Sequence, residues 1–236
     1  MYNFIRYPSL PSTNDTAKSL PTPPHGTVVM ADVQTAGRGR YGRKFFSPSG
    51  CGIYMSVILC PEEMQLTNHS LITPMAAVAV CQAIEATTDK FPQIKWVNDI
   101  FLNGRKICGI LTEALADRIV VGIGVNFLMP PGGGFPPEIA GTAGALFDRP
   151  PVSPTREQLT EDIAARVIVG ATAPTIDAYK KRLLVLGRRV SAIPVANSDA
   201  LYEATAIDID ENGGLIVQKD CGEIITLTAG EVSLKL

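Results

Sequence analysis

Between Val33 and Pro61 the chain carries no Asp or Glu, yet it crowds Arg38, Arg40, Arg43 and Lys44 among Gly37, Gly39 and Gly42. It then closes on Phe46-Ser47-Pro48-Ser49-Gly50. This stretch constrains the fold more than any other. Glycine and proline oppose a helix here, and four like charges with no local acid oppose burial in a core. The segment must be a surface loop held by rigid flanks. Residues 27–34 and Ile53 to Cys60, both rich in β-branched residues, read as the strands that hold it. Glycines let backbone N–H groups approach a ligand closely. Arg forks and a Lys supply charge for phosphate or carboxylate oxygens. The loop therefore reads as a clamp for an anion. Alone, such a loop is more often a solvated basic surface, so its neighbours decide.

Gly37-Arg38-Gly39-Arg40-Tyr41-Gly42 formally matches G-x-G-x-x-G. A dinucleotide fold needs a helix opening in that turn and an acid about 20 residues on. Here the loop runs into Phe46–Gly50, which cannot be helical, and Glu62-Glu63 come only after Pro61. No G-x-x-x-x-G-K-[ST] or G-x-S-x-G occurs, which excludes a P-loop and a nucleophile elbow at the motif level.

The 236 residues suffice for one large domain, or a large and a small one, and 46% are hydrophobic, so a substantial core is expected. A net charge of −2 argues against a general nucleic-acid binder. Cys51, Cys60, Cys81, Cys108 and Cys221 contain no C-x-x-C pair, and only His25 and His69 accompany them. That suits reduced thiols better than a disulfide framework or a zinc site. No h-region of a signal peptide is visible, and no apolar run approaches the roughly 18–20 residues of a membrane helix. The expectation is a cytoplasmic protein.

Residues 2–7 read as a first strand, ended by Pro8 and Pro11. Ser12-Thr13-Asn14-Asp15 reads as a helix start with Ser12 as N-cap. Leu71, Ile72, Met75, Val78, Ala79 and Ile84 give residues 68–87 a helical apolar stripe. Asn103-Gly104 between apolar runs predicts a type I′ hairpin, with Arg105 and Lys106 just past the turn. Residues 118–127 read as a strand on which Gly122 and Gly124 share one bare face, open to close packing by a strand or a ligand. Residues 129–137 form a Pro/Gly loop. Two short helices are expected near 155–169 and 174–184. Leu186-Gly187 marks a boundary, and short strands near 188–193, 202–209, 214–218 and 223–228 with polar turns predict a small barrel.

Taken together, Ser12-Thr13-Asn14, Gln34 to Arg43, Phe46-Ser47-Pro48, Lys95-Trp96-x-Asn98-Asp99, Arg105-Lys106-x-x-Gly109-Ile110-Leu111 and Gly122-x-Gly124-x-Asn126 resemble biotin–protein ligase in order and spacing. The tail from Gly187 resembles that family's C-terminal domain. The resemblance implies an α+β fold: a mixed, largely antiparallel central sheet with helices, class II synthetase-like, over residues 1–186, and an SH3-like β-barrel over 187–236. It implies that biotin and ATP give biotinyl-5′-AMP and pyrophosphate, with Mg²⁺, and that biotin then passes to a lysine of a biotin carboxyl carrier domain.

Carried over by position, Ser12, Thr13, Asn14, Gln34, Gly37, Arg38, Gly39 and Gly109 would hold biotin. Arg40, Phe45, Asn98, Asp99, Lys106, Gly124 and Asn126 would hold the nucleotide. Lys106 and Arg40 would be catalytic, and Asp99 would sit near the metal. Val97 stands where the family commonly has Pro, which softens the backbone by up to about 1 kcal/mol. Phe45 stands where a Trp is frequent. The first strand begins near residue 2, so no N-terminal DNA-binding domain and no operator binding are expected. Neither is a membrane association; the protein would be a monomer or homodimer. The competing readings are a lipoate or octanoate ligase or transferase of the same superfamily, and a ligand-sensing module without turnover. Nothing within residues 37–50 offsets their charge, so the loop is expected to be mobile until a ligand orders it.

Overall fold

The computed structural model describes residues 3–132, 134–171, 176–194, 202–228 and 230–234. Strands β1 (Phe4–Tyr7), β2 (Val28–Ala31), β3 (Gly52–Leu59), β4 (Gln93–Lys95), β5 (Asp99–Leu102), β6 (Arg105–Ala114) and β7 (Ile119–Asn126) form one sheet. Their order is β1-β2-β3-β7-β6-β5-β4. β1 and β2 run parallel; every other neighbour is antiparallel. The sheet is thus mixed. The β5–β6 connection is the hairpin that Asn103-Gly104 predicts, with φ of 51° and 75°.

The strand period of two decides what each face does. On β3, Ile53, Met55, Val57 and Leu59 join the main core. That core lies under α2 (Ile72–Thr87) and α4 (Arg156–Gly170). The alternate residues turn to the other face. Ile58 and Val120 there pack with Ala17 of α1 (Thr13–Ser19). On β7, Gly122 and Gly124 fall on this second face, and β6 presents Gly109 directly opposite Gly124. The sheet therefore has a greasy face that folds the protein and a face thinned by glycines.

Local chemistry sets the helix ends. The Ser12 side chain accepts from the Asp15 N–H at 3.4 Å, as expected of an N-cap. Thr155 and Gln158 close a reciprocal capping box at the start of α4. A short α3 (Pro137–Ala140), not anticipated, follows the Pro/Gly loop. α5 (Ile176–Lys180) is shorter than expected, and positions 174 and 175 lie outside the described residues. One sequence expectation needs correcting. His69–Thr87 is a helical stretch of 19 residues, long and apolar enough by composition to cross a membrane. It is a core helix by position, with Ile72, Met75, Ala76, Val80 and Ile84 buried inside the protein.

Strands β8 (Arg189–Pro194), β9 (Tyr202–Ile209), β10 (Leu215–Lys219), β11 (Ile224–Leu227) and β12 (Gly230–Leu234) form a second, antiparallel sheet. Its order is β11-β10-β9-β8-β12. Among the described residues no pairing between β11 and β12 closes it. The Asp210 carboxylate accepts from Asn212 and Gly214 N–H groups at 2.9 and 2.7 Å and fixes the β9–β10 turn. Val190, Ala204, Leu215 and Val217 of this sheet belong to the same apolar cluster as the main core. The small unit is therefore packed on the large one, as its size requires.

Candidate active site

The glycine-thinned face lines a cleft of about 480 Å³, within the range of small-molecule sites. Its floor is polar and buried. Ser12, Thr13 and Asn14 enter it from the N-terminus of α1, each at most 4% exposed. Asn14 lies flat against Gly122, where an added Cβ would meet its Oδ1 at 2.1 Å. The Asn14 amide donates to the Leu111 carbonyl at 3.2 Å and to Glu113 Oε2 at 2.8 Å. Gln34 Oε1 accepts from the Thr13 N–H at 2.8 Å, while its Nε2 donates to Ser47 Oγ at 3.0 Å. Ser56, fully buried on β3, stands behind Thr13 and Asn14.

The glycine–arginine loop folds over this floor as a small hairpin. The backbones of Arg38 and Lys44 lie opposite each other in antiparallel register, and Phe45 N–H donates to the Gly37 carbonyl at 2.9 Å. Tyr41 and Gly42 at its tip have φ of 56° and 73°. Gly37 is needed for close approach, since a Cβ would come within 2.6 Å of the Phe45 carbonyl. The Phe45 ring covers Gly124, where a Cβ would meet it at 2.5 Å, and also touches the Gly109 position. Gly122 and Gly124 thus admit two different side chains, Asn14 and Phe45, to the sheet.

Contrary to the expectation of an uncompensated loop, part of its charge is offset by acids that lie outside residues 37–50. Arg38 Nη2 lies 2.6 Å from Asp15 Oδ1 on α1 and 3.0 Å from Glu113 Oε2 on β6. Lys18 joins Glu113 at 2.8 Å. Burial alone would raise the Glu113 pKa, but hydrogen bonds from Lys18 and Asn14 and the charge of Arg38 outweigh it and hold the carboxyl below its ordinary value. Arg40 Nη1 donates to Asn98 Oδ1 at 3.0 Å, and its guanidinium lies 4.9 Å from the Tyr41 ring centroid.

The opposite wall carries Lys106, whose Nζ lies 2.6 Å from Asp99 Oδ1. Its main chain is fixed from both sides: Lys106 N–H donates to the Thr142 carbonyl, and Gly144 N–H donates to the Lys106 carbonyl, both at 2.8 Å. Asn126 Nδ2 holds the Gly144 carbonyl at 2.9 Å, and Arg105 Nη1 holds the Ala140 carbonyl at 2.8 Å. The segment after the Pro/Gly loop therefore completes the wall with Phe135, Ile139, Thr142 and Ala143. Phe135 meets Phe46 edge-on at 6.4 Å.

Every residue carried over to biotin or the nucleotide lines this cleft except Gly37, which shapes the loop from behind. Arg38, Arg40, Arg43, Lys44, Lys95 and Lys106 face it, and Asp99 is its one acid among the described residues. Such a cleft concentrates anions. Sequence reasoning left Glu113 and Ser56 without a role. A lone small polar residue inside apolar β3 was the available signal for Ser56. His25, Cys60 and Glu63 bring ligating atoms within 4.8 Å of one another outside the cleft. His25 Nδ1, however, accepts from the Cys60 N–H at 3.1 Å, which places the ring proton on Nε2 and leaves no free imidazole lone pair for a metal.

Residues 7–126 match the Biotin/lipoate A/B protein ligase family, and residues 185–235 match the Biotin protein ligase C terminal domain. The "Bifunctional ligase/repressor BirA" of Bacillus subtilis is 42% identical over 151 residues, covering 61% of this chain and 46% of the relative. The chain thus spans under half the length of that curated relative. The "Biotin--[acetyl-CoA-carboxylase] ligase" of Mycobacterium tuberculosis is 30% identical over 216 residues, 88% of this chain and 78% of the relative. Among solved structures, the biotin protein ligase from Aquifex aeolicus in complex with biotin and ATP superposes with a TM-score of 0.82 at 26% identity, covering 100% of this chain and 99% of that one.

Proposed function

The chain belongs to the biotin/lipoate A/B protein ligase family, and from that premise we propose that it is a biotin–protein ligase. One observation carries the reading: a single cleft joins a polar floor at the α1 N-terminus to a cationic wall, where Lys106 is held by Asp99 and Arg40 by Asn98. The floor offers donors at the Ser12 hydroxyl and the second Gln34 Nε2–H, and acceptors at Thr13 Oγ1 and Asn14 Oδ1. A cyclic urea presents one carbonyl flanked by two N–H groups and satisfies both kinds. The dithiolane of lipoate presents neither, which favours biotin over lipoate or octanoate.

In the first step a biotin carboxylate oxygen attacks the α-phosphorus of ATP, the bond to the β-phosphate bridging oxygen breaks, and pyrophosphate leaves. Two anions meet, and charge builds on the phosphate oxygens. Lys106 and Arg40 would stabilise that charge electrostatically. Asn98, Asn126, Gly124 and Phe45 would shape the nucleotide side. Asp99 is the carboxylate that would hold Mg²⁺ beside the phosphates, in keeping with the few protein ligands this ion takes. In the second step the amine of a carrier-domain lysine attacks the acyl carbon, and AMP leaves with the bonding electron pair. Arg38, Gly39 and the closed loop would keep water from the mixed anhydride. We divide the chain at 186/187 and read the C-terminal sheet as the SH3-like unit of this family. Pyrophosphate release from ATP, with and without biotin, tests the proposal: release only with biotin is expected, and release equally without it, or with lipoate instead, sinks it.

A further inference from the structure

Ser56 has a place in the floor that its burial conceals. It is fully buried, pairs in register with Gly122 and lies behind Thr13 and Asn14. Its Oγ is 2.6 Å from Asn14 Oδ1 and 2.8 Å from Thr13 Oγ1. A hydroxyl has one proton to donate, so the two contacts cannot both be donations.

The surrounding acceptors decide the direction. Both hydrogens of the Asn14 amide are taken, one by the Leu111 carbonyl and one by the Glu113 carboxylate. Turning the amide over would set its oxygen against those two acceptors, so Oδ1 faces Ser56 and can only accept. Ser56 therefore gives its proton to Asn14, and the Thr13 hydroxyl gives its own to Ser56. The other contact open to the Thr13 proton, Gln34 Oε1, is longer at 3.2 Å and is already served by the Thr13 N–H at 2.8 Å. The chain runs Thr13 to Ser56 to Asn14, anchored at its far end by Glu113. Each link polarises the next.

Resting on the reading of the cleft as a biotin site, we infer that Ser56 is a positioning residue: it fixes the proton order of the floor so that Thr13 and Asn14 turn their free lone pairs to the N–H groups of a cyclic urea. Without Ser56 the Thr13 proton is free to swing to Gln34, and Asn14 Oδ1 loses the donor that holds the amide in place. The role is specific to the urea end of the cleft. Among the described residues, the side-chain hydrogen bonds of Thr13, Ser56 and Asn14 do not reach Lys106, Asn98 or Asn126, so nucleotide binding should be unaffected.

The experiment is calorimetric binding of biotin and of desthiobiotin, which keeps the urea and lacks the thioether, to the wild type, Ser56→Ala and Ser56→Cys, with the KM for ATP measured in parallel. Ser56→Ala should weaken both ligands by about tenfold or more, as expected for losing one ordered hydrogen-bond link. Ser56→Cys, nearly isosteric with a weak donor, should fall between and serves if the alanine variant does not fold. The KM for ATP should stay within about twofold, the split expected of an effect confined to one ligand. Biotin affinity within about twofold of wild type in the folded variants, or a parallel rise in the KM for ATP, overturns the inference and leaves the proposed function standing. A wild type that binds no biotin overturns the proposed function and this inference with it.

Discussion

The Lys106 ammonium lies 2.6 Å from Asp99 Oδ1, on the neighbouring strand of the hairpin turned by Asn103-Gly104. The cation held ready for a substrate anion is therefore already neutralised in part, and a phosphate oxygen has to share it. Lys106→Ala should slow single-turnover adenylation by roughly 100- to 1000-fold, the scale of removing one transition-state charge partner. The half-exposed side chain contributes little to the core, so the melting temperature should move by only a few degrees. Adenylation unchanged within about threefold would remove Lys106 from the chemistry.

Glu113 ties Asn14, Lys18 and Arg38 together across three elements. Its folded-state pKa is depressed, so its contribution to stability is complete above the unfolded value near 4.3 and is lost as pH falls through the folded value. Glu113→Gln should cost about 1–2 kcal/mol at neutral pH, between an exposed and a fully buried ion pair. The gap should close as pH is lowered past 4. Urea midpoints of both proteins from pH 7 to pH 3 measure this; a gap independent of pH would show that the carboxylate charge is not what holds the cluster.

How far this site was legible depended on sequence distance. Ser12 as N-cap, the Asn103-Gly104 turn and the bare face of Gly122 and Gly124 each follow from local rules, and each stands in the structure. The cleft's membership was legible through the resemblance, because the motifs are short and ordered. The loop's restraint was not. Arg38 meets Glu113 across 75 positions, and only the β6–β7 register places that carboxylate beside α1. Composition within residues 37–50 could not reveal an acid that lies outside them. The wall from Phe135 to Ala143 was hidden likewise, since a Pro/Gly loop has no periodicity to read.

Gly124 offers a steric test. An alanine Cβ there meets the Phe45 ring at 2.5 Å, with ring atoms as the obstacle, so the ring and its loop must shift. Gly124→Ala should raise the KM for ATP about tenfold or more, while biotin affinity changes less. Gly122→Ala drives its Cβ to 2.1 Å from Asn14 Oδ1, inside a fully bonded cluster that has no room to yield. It should cost about 1–3 kcal/mol of stability and reduce biotin binding more than ATP binding. Identical effects of the two substitutions on both ligands would mean that the face is not divided as described.

Arg40 holds the loop to the β4–β5 connection through Asn98 and rests on Tyr41. Arg40→Gly should loosen retention of the adenylate more than it weakens biotin, because biotin lacks the phosphate for the same clamp. Free biotinyl-AMP should then appear in solution. Hydrogen exchange of amides 37–50 should be partly protected without ligand, owing to Asp15 and Glu113, and further protected with biotin. Equal protection in both states with no released adenylate would rule out an ordering clamp.

Trp96 carries the last prediction. Its indole N–H donates to the Gly213 carbonyl at 3.0 Å, in the β9–β10 turn fixed by Asp210. Gly213 in turn packs against Pro74, and Ser70 donates to the Asn212 carbonyl at 2.8 Å. The turn is thus wedged between the start of α2 and the residue two before Asn98, which binds Arg40. Val232 of β12 also reaches the cleft. All residues first assigned to the pocket precede position 127, which predicts that a 1–186 fragment keeps biotin. The structure refines that expectation. Among the described residues, the hydrogen bonds of the floor built from α1, β3 and β6 stay within the large unit, whereas the Trp96–Asn98 segment leans on the C-terminal sheet. Trp96→Phe keeps the apolar volume and removes the donor, leaving the buried Gly213 carbonyl unpaired, at a cost of about 1–3 kcal/mol. It should raise the KM for ATP several-fold and leave biotin affinity within about twofold. Biotin affinity and the KM for ATP changing together would show that the small unit supports the whole cleft and not its nucleotide side alone.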